Sequence, residues 1–111
     1  MSVLILHCTC PDAASASAIA QALVDERLAA CVNQLPGVLS TYRWQGRVET
    51  ASEVLLLIKT TADRMPALTA RLRALHPYEL PELAAVEVRA GDPDYLTWVA
   101  AQTSPSDDTH A

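Results

Sequence analysis

The chain has 111 residues and a mass of 11.9 kDa, the size of one domain. Half of it is hydrophobic, 5% is aromatic with no Phe, and 19% is charged, which excludes global disorder and requires an aliphatic core of Leu, Val, Ile and Ala. Eight Lys and Arg against thirteen Asp and Glu leave a net charge of −5, with no electrostatic footprint for nucleic acid, and no apolar stretch reaches the roughly 18 residues of a membrane span.

Val3 to Cys10 is apolar on both faces and reads as a central strand. Pro11 blocks its continuation, and Asp12 is placed to cap a helix from about Ala13 to Arg27. Ala16, Ile19, Ala20, Leu23, Val24 and Ala30 supply that segment's apolar stripe. A second strand starts near Cys31, is interrupted by a bulge at Leu35-Pro36-Gly37, and then alternates, with Val38, Ser40, Tyr42 and Trp44 on one face. Gln45-Gly46 fits a two-residue hairpin turn. The return strand, Arg47 to Thr60, is polar to Glu53 and apolar from Val54 to Ile58, so its inner half lies mid-sheet and its outer half projects from the body.

A second helix is expected from about Asp63 to Leu75, with Met65, Leu68, Leu72 and Leu75 buried and Pro66 tolerated in its first turn. His76-Pro77 stops it and opens a rigid segment to Glu82. Leu83 to Ala90 reads as a strand with Ala84, Val86 and Val88 inward. Asp92-Pro93 then starts a last helix through Gln102. The domain is expected to span 1–103, with a disordered polar tail over 104–111. The order β-α-β-β-α-β-α is the split βαβ, or ferredoxin-like, α+β pattern with a long protruding hairpin and an extra C-terminal helix. Its first and third strands are central, as their apolar runs require.

Three cysteines, Cys8, Cys10 and Cys31, form neither an even set nor a CxxC pair, which points to a reducing compartment and the cytoplasm. Thiolate and imidazole together favour copper or zinc over Mg²⁺ or Ca²⁺. In an ideal strand, however, the Cβ atoms of Cys8 and Cys10 stand about 7 Å apart, too far to chelate one ion without a bend. Each cysteine also has a plain reading as a small core hydrophobe, and His76 one as a helix C-cap. Glu53 and the single lysine, Lys59, sit in or beside an apolar run where a lone charge is costly. With Tyr78 and Glu82 they form a candidate ligand or interface cluster, in which Lys59 would hold an anion or an ion-pair partner. Tyr42 and Trp44 on the projecting hairpin mark an interface between subunits. With only three glycines and no phosphate loop or nucleophile arrangement, nothing in the spacing points to a nucleotide site or a catalytic centre.

Taken together, Cys8-Thr9-x-Pro11-Asp12, Glu26-Arg27-Leu28-Ala29-Ala30-Cys31-Val32-Asn33, Ser40-x-Tyr42-x-Trp44-x-Gly46, Glu53-x-x-Leu56-x-x-Lys59-Thr60, His76-Pro77-Tyr78-Glu79-x-Pro81-Glu82 and Gly91-x-x-x-Tyr95-x-x-Trp98 resemble the CutA divalent-cation tolerance proteins over about Val3 to Gln102. The resemblance implies a cytoplasmic, ferredoxin-like homotrimer tied to tolerance of divalent metals, copper(II) especially, with no enzymatic reaction. It implies Cys8 and His76 as metal ligands. Some members carry a second histidine where this chain has Leu75, and Cys10, His7 or a neighbouring subunit would have to complete the site. The alternatives are a small-molecule sensor resembling the trimeric PII signalling proteins, with an anion at Lys59, and a scaffold that anchors a partner protein.

Overall fold

The computed structural model describes residues 2–105. Its elements are β1 (Val3–Cys10), α1 (Ala13–Asp25), β2 (Cys31–Trp44), β3 (Arg47–Thr61), α2 (Met65–Leu75, after a 3-10 turn at Ala62–Arg64), β4 (Ala84–Glu87) and α3 (Pro93–Gln102). The antiparallel sheet has the order β2-β3-β1-β4, so the two most apolar strands are indeed central. The α+β ferredoxin-like arrangement is the one expected.

Strand alternation sorts the side chains onto two faces. Leu6, Cys8 and Cys10 of β1, with Val54, Leu56 and Ile58 of β3, pack under Ala16, Ile19 and Leu23 of α1 and Leu68 and Leu72 of α2. Each large aliphatic buried there contributes about 1.5–3 kcal/mol. On the other face Val3, Ala30 and Val99 form a second cluster beneath α3. Elsewhere on that face Ile5, His7, Leu55, Leu57 and Lys59 are half-buried.

Helix α1 begins as expected, with the Ser15 N–H donating to Asp12 Oδ1 at 2.8 Å, but it ends at Asp25, not Arg27. Arg27 adopts φ 60. The Leu28 N–H reaches the Leu23 carbonyl at 2.9 Å and the Arg27 N–H the Val24 carbonyl at 3.1 Å. This is a Schellman stop, closed by burial of Leu28 against the Leu23 turn. Val24, expected in the buried stripe, is exposed.

The strand expected over Leu83–Ala90 is only four residues long and exposed throughout. As the edge strand it pairs with β1 alone. Ala84 and Val86 therefore do not point into a core, and Val86 is 53% exposed. Only Val88 turns in, bonding its N–H to the Val3 carbonyl at 2.9 Å and packing on the α3 cluster. Past α3 the Ser104 carbonyl accepts from Arg27 Nε at 3.0 Å. The rest of the expected tail, 106–111, lies outside the described residues.

The hairpin turn has Gln45 at φ 49 and Gly46 at φ 78, the two positive values a type I′ turn requires. Between Leu35↔Leu55 and Val38↔Glu53 the register slips by one residue, with Gly37 at φ 77. One extra residue inverts the side-chain parity of β2. Beyond it Val38, Ser40, Tyr42 and Trp44 share a face with Glu53. The bulge thus aims both aromatics toward the site described next. The hairpin also stretches the molecule to 49 × 28 × 22 Å.

Candidate metal site and the adjoining cleft

Cys8 and Cys10 flank Thr9 at the end of β1 and both point to the helix face, where they are fully buried. Helix α2 delivers the third group. The His76 N–H closes the last turn on the Leu72 carbonyl at 2.8 Å, and the backbone then turns extended before Pro77. That exit lays the imidazole against the end of β1, with Nε2 2.8 Å from the Thr9 carbonyl and 3.8 Å from Cys10 Sγ. One ligand atom each from Cys8, Cys10 and His76 lies within 4.8 Å of the others, and all three residues are buried.

The partners of His76 fix its tautomer. The Tyr78 N–H donates to Nδ1 at 3.0 Å, so Nδ1 carries a lone pair; the Thr9 carbonyl only accepts, so Nε2 carries the hydrogen. The nitrogen nearest the thiols is therefore engaged. The cysteines are coupled. The Cys8 thiol has the Thr9 carbonyl at 3.9 Å and the Cys10 sulfur as acceptors. Once Cys10 ionises, the charged sulfur wins. Donation from Cys8 lowers the Cys10 pKa, and it raises that of Cys8, reinforced by burial and by the nearby charges of Cys10, Glu82 and Glu53.

This donor set suits copper or zinc: two sulfurs and one imidazole, with a fourth position left to another ligand. Ligand atoms of a tetrahedral ion stand about 3.5–3.8 Å apart, so the cluster needs to contract by about 1 Å at its widest. The separation of about 7 Å expected for Cys8 and Cys10 applies to Cβ atoms and does not carry over to the sulfurs. Both side chains leave one face at the strand's end and converge where His76 meets them. Cys10 is thus the third member of the cluster, legible only as a Cys-x-Cys pair ahead of a proline. His7 lies on the opposite face, and Leu75, half-buried, packs against the core.

Thr9, Pro77 and Tyr78 also line a cleft of about 930 Å³ running beneath the hairpin aromatics Tyr42 and Trp44. Glu53, Glu79 and Glu82 complete its polar wall, and among the described residues no Lys or Arg lines it. Glu53 is buried and accepts from the Tyr78 hydroxyl at 2.7 Å. Burial first, then that bond, raises the Tyr78 pKa. The expected cluster of Glu53, Lys59, Tyr78 and Glu82 is therefore only partly assembled. Lys59 lies opposite Ile5 and Cys31, six residues from Glu53 and about 20 Å along the strand. It does not reach the cleft.

The family model of the CutA1 divalent ion tolerance protein matches residues 4–102. The divalent-cation tolerance protein CutA of Thermus thermophilus is 50% identical over 95 residues, covering 86% of this chain and 92% of that one. Mouse protein CutA is 49% identical over 98 residues, 88% of this chain but 55% of its own length, so the chain spans about half of that relative. Among solved structures, CutA from Xylella fastidiosa superposes with a TM-score of 0.90 at 55% identity, covering 94% of this chain and all of that one. A protein described as the periplasmic divalent cation tolerance protein CutA of Archaeoglobus fulgidus superposes at 0.88 with 28% identity, covering 92% and 99%. A match to nearly the whole domain, on a fold built around the Cys8 and His76 motifs, settles the family: this chain is a member of the CutA1 divalent ion tolerance proteins.

Proposed function

We propose that this protein binds a soft or borderline divalent cation, copper(II) or zinc, at Cys8, Cys10 and His76, and that this binding underlies its part in metal tolerance. The convergence of three buried ligand atoms within 4.8 Å carries the reading. Binding is modest in strength. The chain offers three ligands, and a metal at His76 Nε2 displaces the hydrogen shared with the Thr9 carbonyl, which must leave or move to Nδ1 at the cost of the Tyr78 N–H bond. The role is non-enzymatic, performed by one domain over 1–103 in a cytoplasmic homotrimer. The Archaeoglobus relative's description as periplasmic makes cell fractionation the check on location. A sensor that takes an anion finds less support, because the cleft carries three carboxylates and Lys59 stands apart from it.

Calorimetric titration with copper(II) and zinc tests the reading. Cys8→Ser, Cys10→Ser and His76→Ala should each weaken binding at least about tenfold, since even groups that only support a ligand are worth 10–100-fold. Affinity should also fall as the pH is lowered, because thiols release protons on binding. If all three variants titrate like the parent, the cluster is not the site.

A further inference from the structure

The Cys8–Cys10–His76 cluster is sealed: both thiols have no exposed surface and His76 retains 7%. Of the residues that line the neighbouring cleft, Thr9, Pro77 and Tyr78 adjoin the cluster: Thr9 lies between the two cysteines, Pro77 follows His76, and Tyr78 contacts it. Of these, Tyr78 is tied to both sides. Its N–H holds His76 Nδ1 at 3.0 Å, its ring lies 4.9 Å from the imidazole centroid, and its hydroxyl is anchored on the buried Glu53 at 2.7 Å. Thr9 is held in the β1–β3 ladder and the Pro77 ring is rigid, so of these three residues Tyr78 has the side chain with rotamers to swing through.

We propose that Tyr78 is a latch over the thiol–imidazole cluster, and that a cation enters from the carboxylate-lined cleft when its hydroxyl leaves Glu53. This deepens the metal reading given above by naming the positioning residue that controls entry. The negative wall raises the local cation concentration at the cleft. The hydroxyl–carboxylate bond keeps the latch shut, and the Tyr78 N–H, being backbone, stays in place whichever side chain is present. The latch therefore sets the rate of entry, while the ligands set affinity.

The test separates the latch from the metal. Alkylation by iodoacetamide, followed residue by residue with peptide mass spectrometry, reads access to Cys8 and Cys10, with half-buried Cys31 as the internal reference. Tyr78→Phe removes only the anchor and should speed labelling of Cys8 and Cys10 roughly tenfold, the equivalent of one hydrogen bond to a charged group. Tyr78→Ala removes the cover and should speed it further, and Glu53→Ala, which removes the acceptor, should resemble Tyr78→Phe. Cys31 should label at the parent rate throughout. Unchanged rates at Cys8 and Cys10 in Tyr78→Ala, or rates rising in step with Cys31, would overturn the latch. Stopped-flow mixing with cobalt(II) supplies the second arm, read by thiolate-to-metal charge-transfer absorbance. Faster association in Tyr78→Phe with an unchanged final spectrum supports gated entry. A parent with no such band, but with the labelling difference intact, removes the metal reading and leaves the latch standing.

Discussion

His76 satisfies two backbone groups with one ring: the Tyr78 N–H through Nδ1 and the Thr9 carbonyl through Nε2. Truncation leaves the Tyr78 N–H without this partner and the Thr9 carbonyl with only the long contact from the Cys8 thiol, at roughly 1–3 kcal/mol for an orphaned polar group. His76→Ala should therefore lower unfolding stability by about 2 kcal/mol, measured by urea titration with the m-value unchanged. A loss below about 0.5 kcal/mol would mean that water reaches these groups and the cluster is not closed. The histidine and Cys8 were legible in the sequence through their flanking motifs. Cys10 stands in the sequence only as one of several candidates to complete the site, because strand periodicity places Cβ atoms and is silent on where two sulfurs turn. The hold of Tyr78 on His76 was also hidden, since half of it is a backbone N–H whose direction depends on the chain's turn at Pro77. Lys59 stands apart from the cleft within the chain: an apolar run shows that a charge is unusual, but not which end of the strand meets the cleft.

The elements were read from apolar periodicity and proline positions, and their errors fall where another force acts. Helix α1 ends two residues before the expected Arg27 because its left-handed stop is made by Arg27 itself, where glycine is the usual signal. Its guanidinium donates to the Ser104 and Ala101 carbonyls at 3.0 Å, which ties that stop to the end of α3. Strand β4 is shorter and more exposed than its alternation suggests, because alternation cannot distinguish an edge strand from a covered one. The hairpin was legible in full, including its bulge, since Pro36-Gly37 and Gln45-Gly46 announce both. Gln45 sits at φ 49, which asparagine adopts more easily. Gln45→Asn should raise stability by roughly 0.5–1 kcal/mol, part of the cost of a left-handed residue. Thermal unfolding monitored by circular dichroism reads this directly, and a lowered midpoint would contradict the type I′ turn.

The whole molecule is longer than its chain length requires: a radius of gyration of 14.7 Å against about 13 Å for a compact domain of this size. The excess is the hairpin, and it carries Leu39 at 69%, Val48 at 64%, Tyr42 at 44% and Trp44 at 45% exposure. A two-stranded ribbon with that much apolar surface is marginal alone and is stabilised when it packs on a neighbour. In the proposed trimer each ribbon lies against the next subunit and the edge strands are covered. Light scattering should give three times 11.9 kDa, and Tyr42→Ala with Trp44→Ala should weaken assembly and lower the melting temperature together. A monomer at micromolar concentration would contradict this account of the hairpin. The central claim, a metal held by two sulfurs and one imidazole, is tested most directly by X-ray absorption at the zinc edge on the native protein loaded with one equivalent of zinc. The account predicts two sulfur neighbours at about 2.3 Å and nitrogen or oxygen at about 2.0–2.1 Å, with sulfur lost stepwise in Cys8→Ser and Cys10→Ser. A first shell of nitrogen and oxygen alone would contradict it.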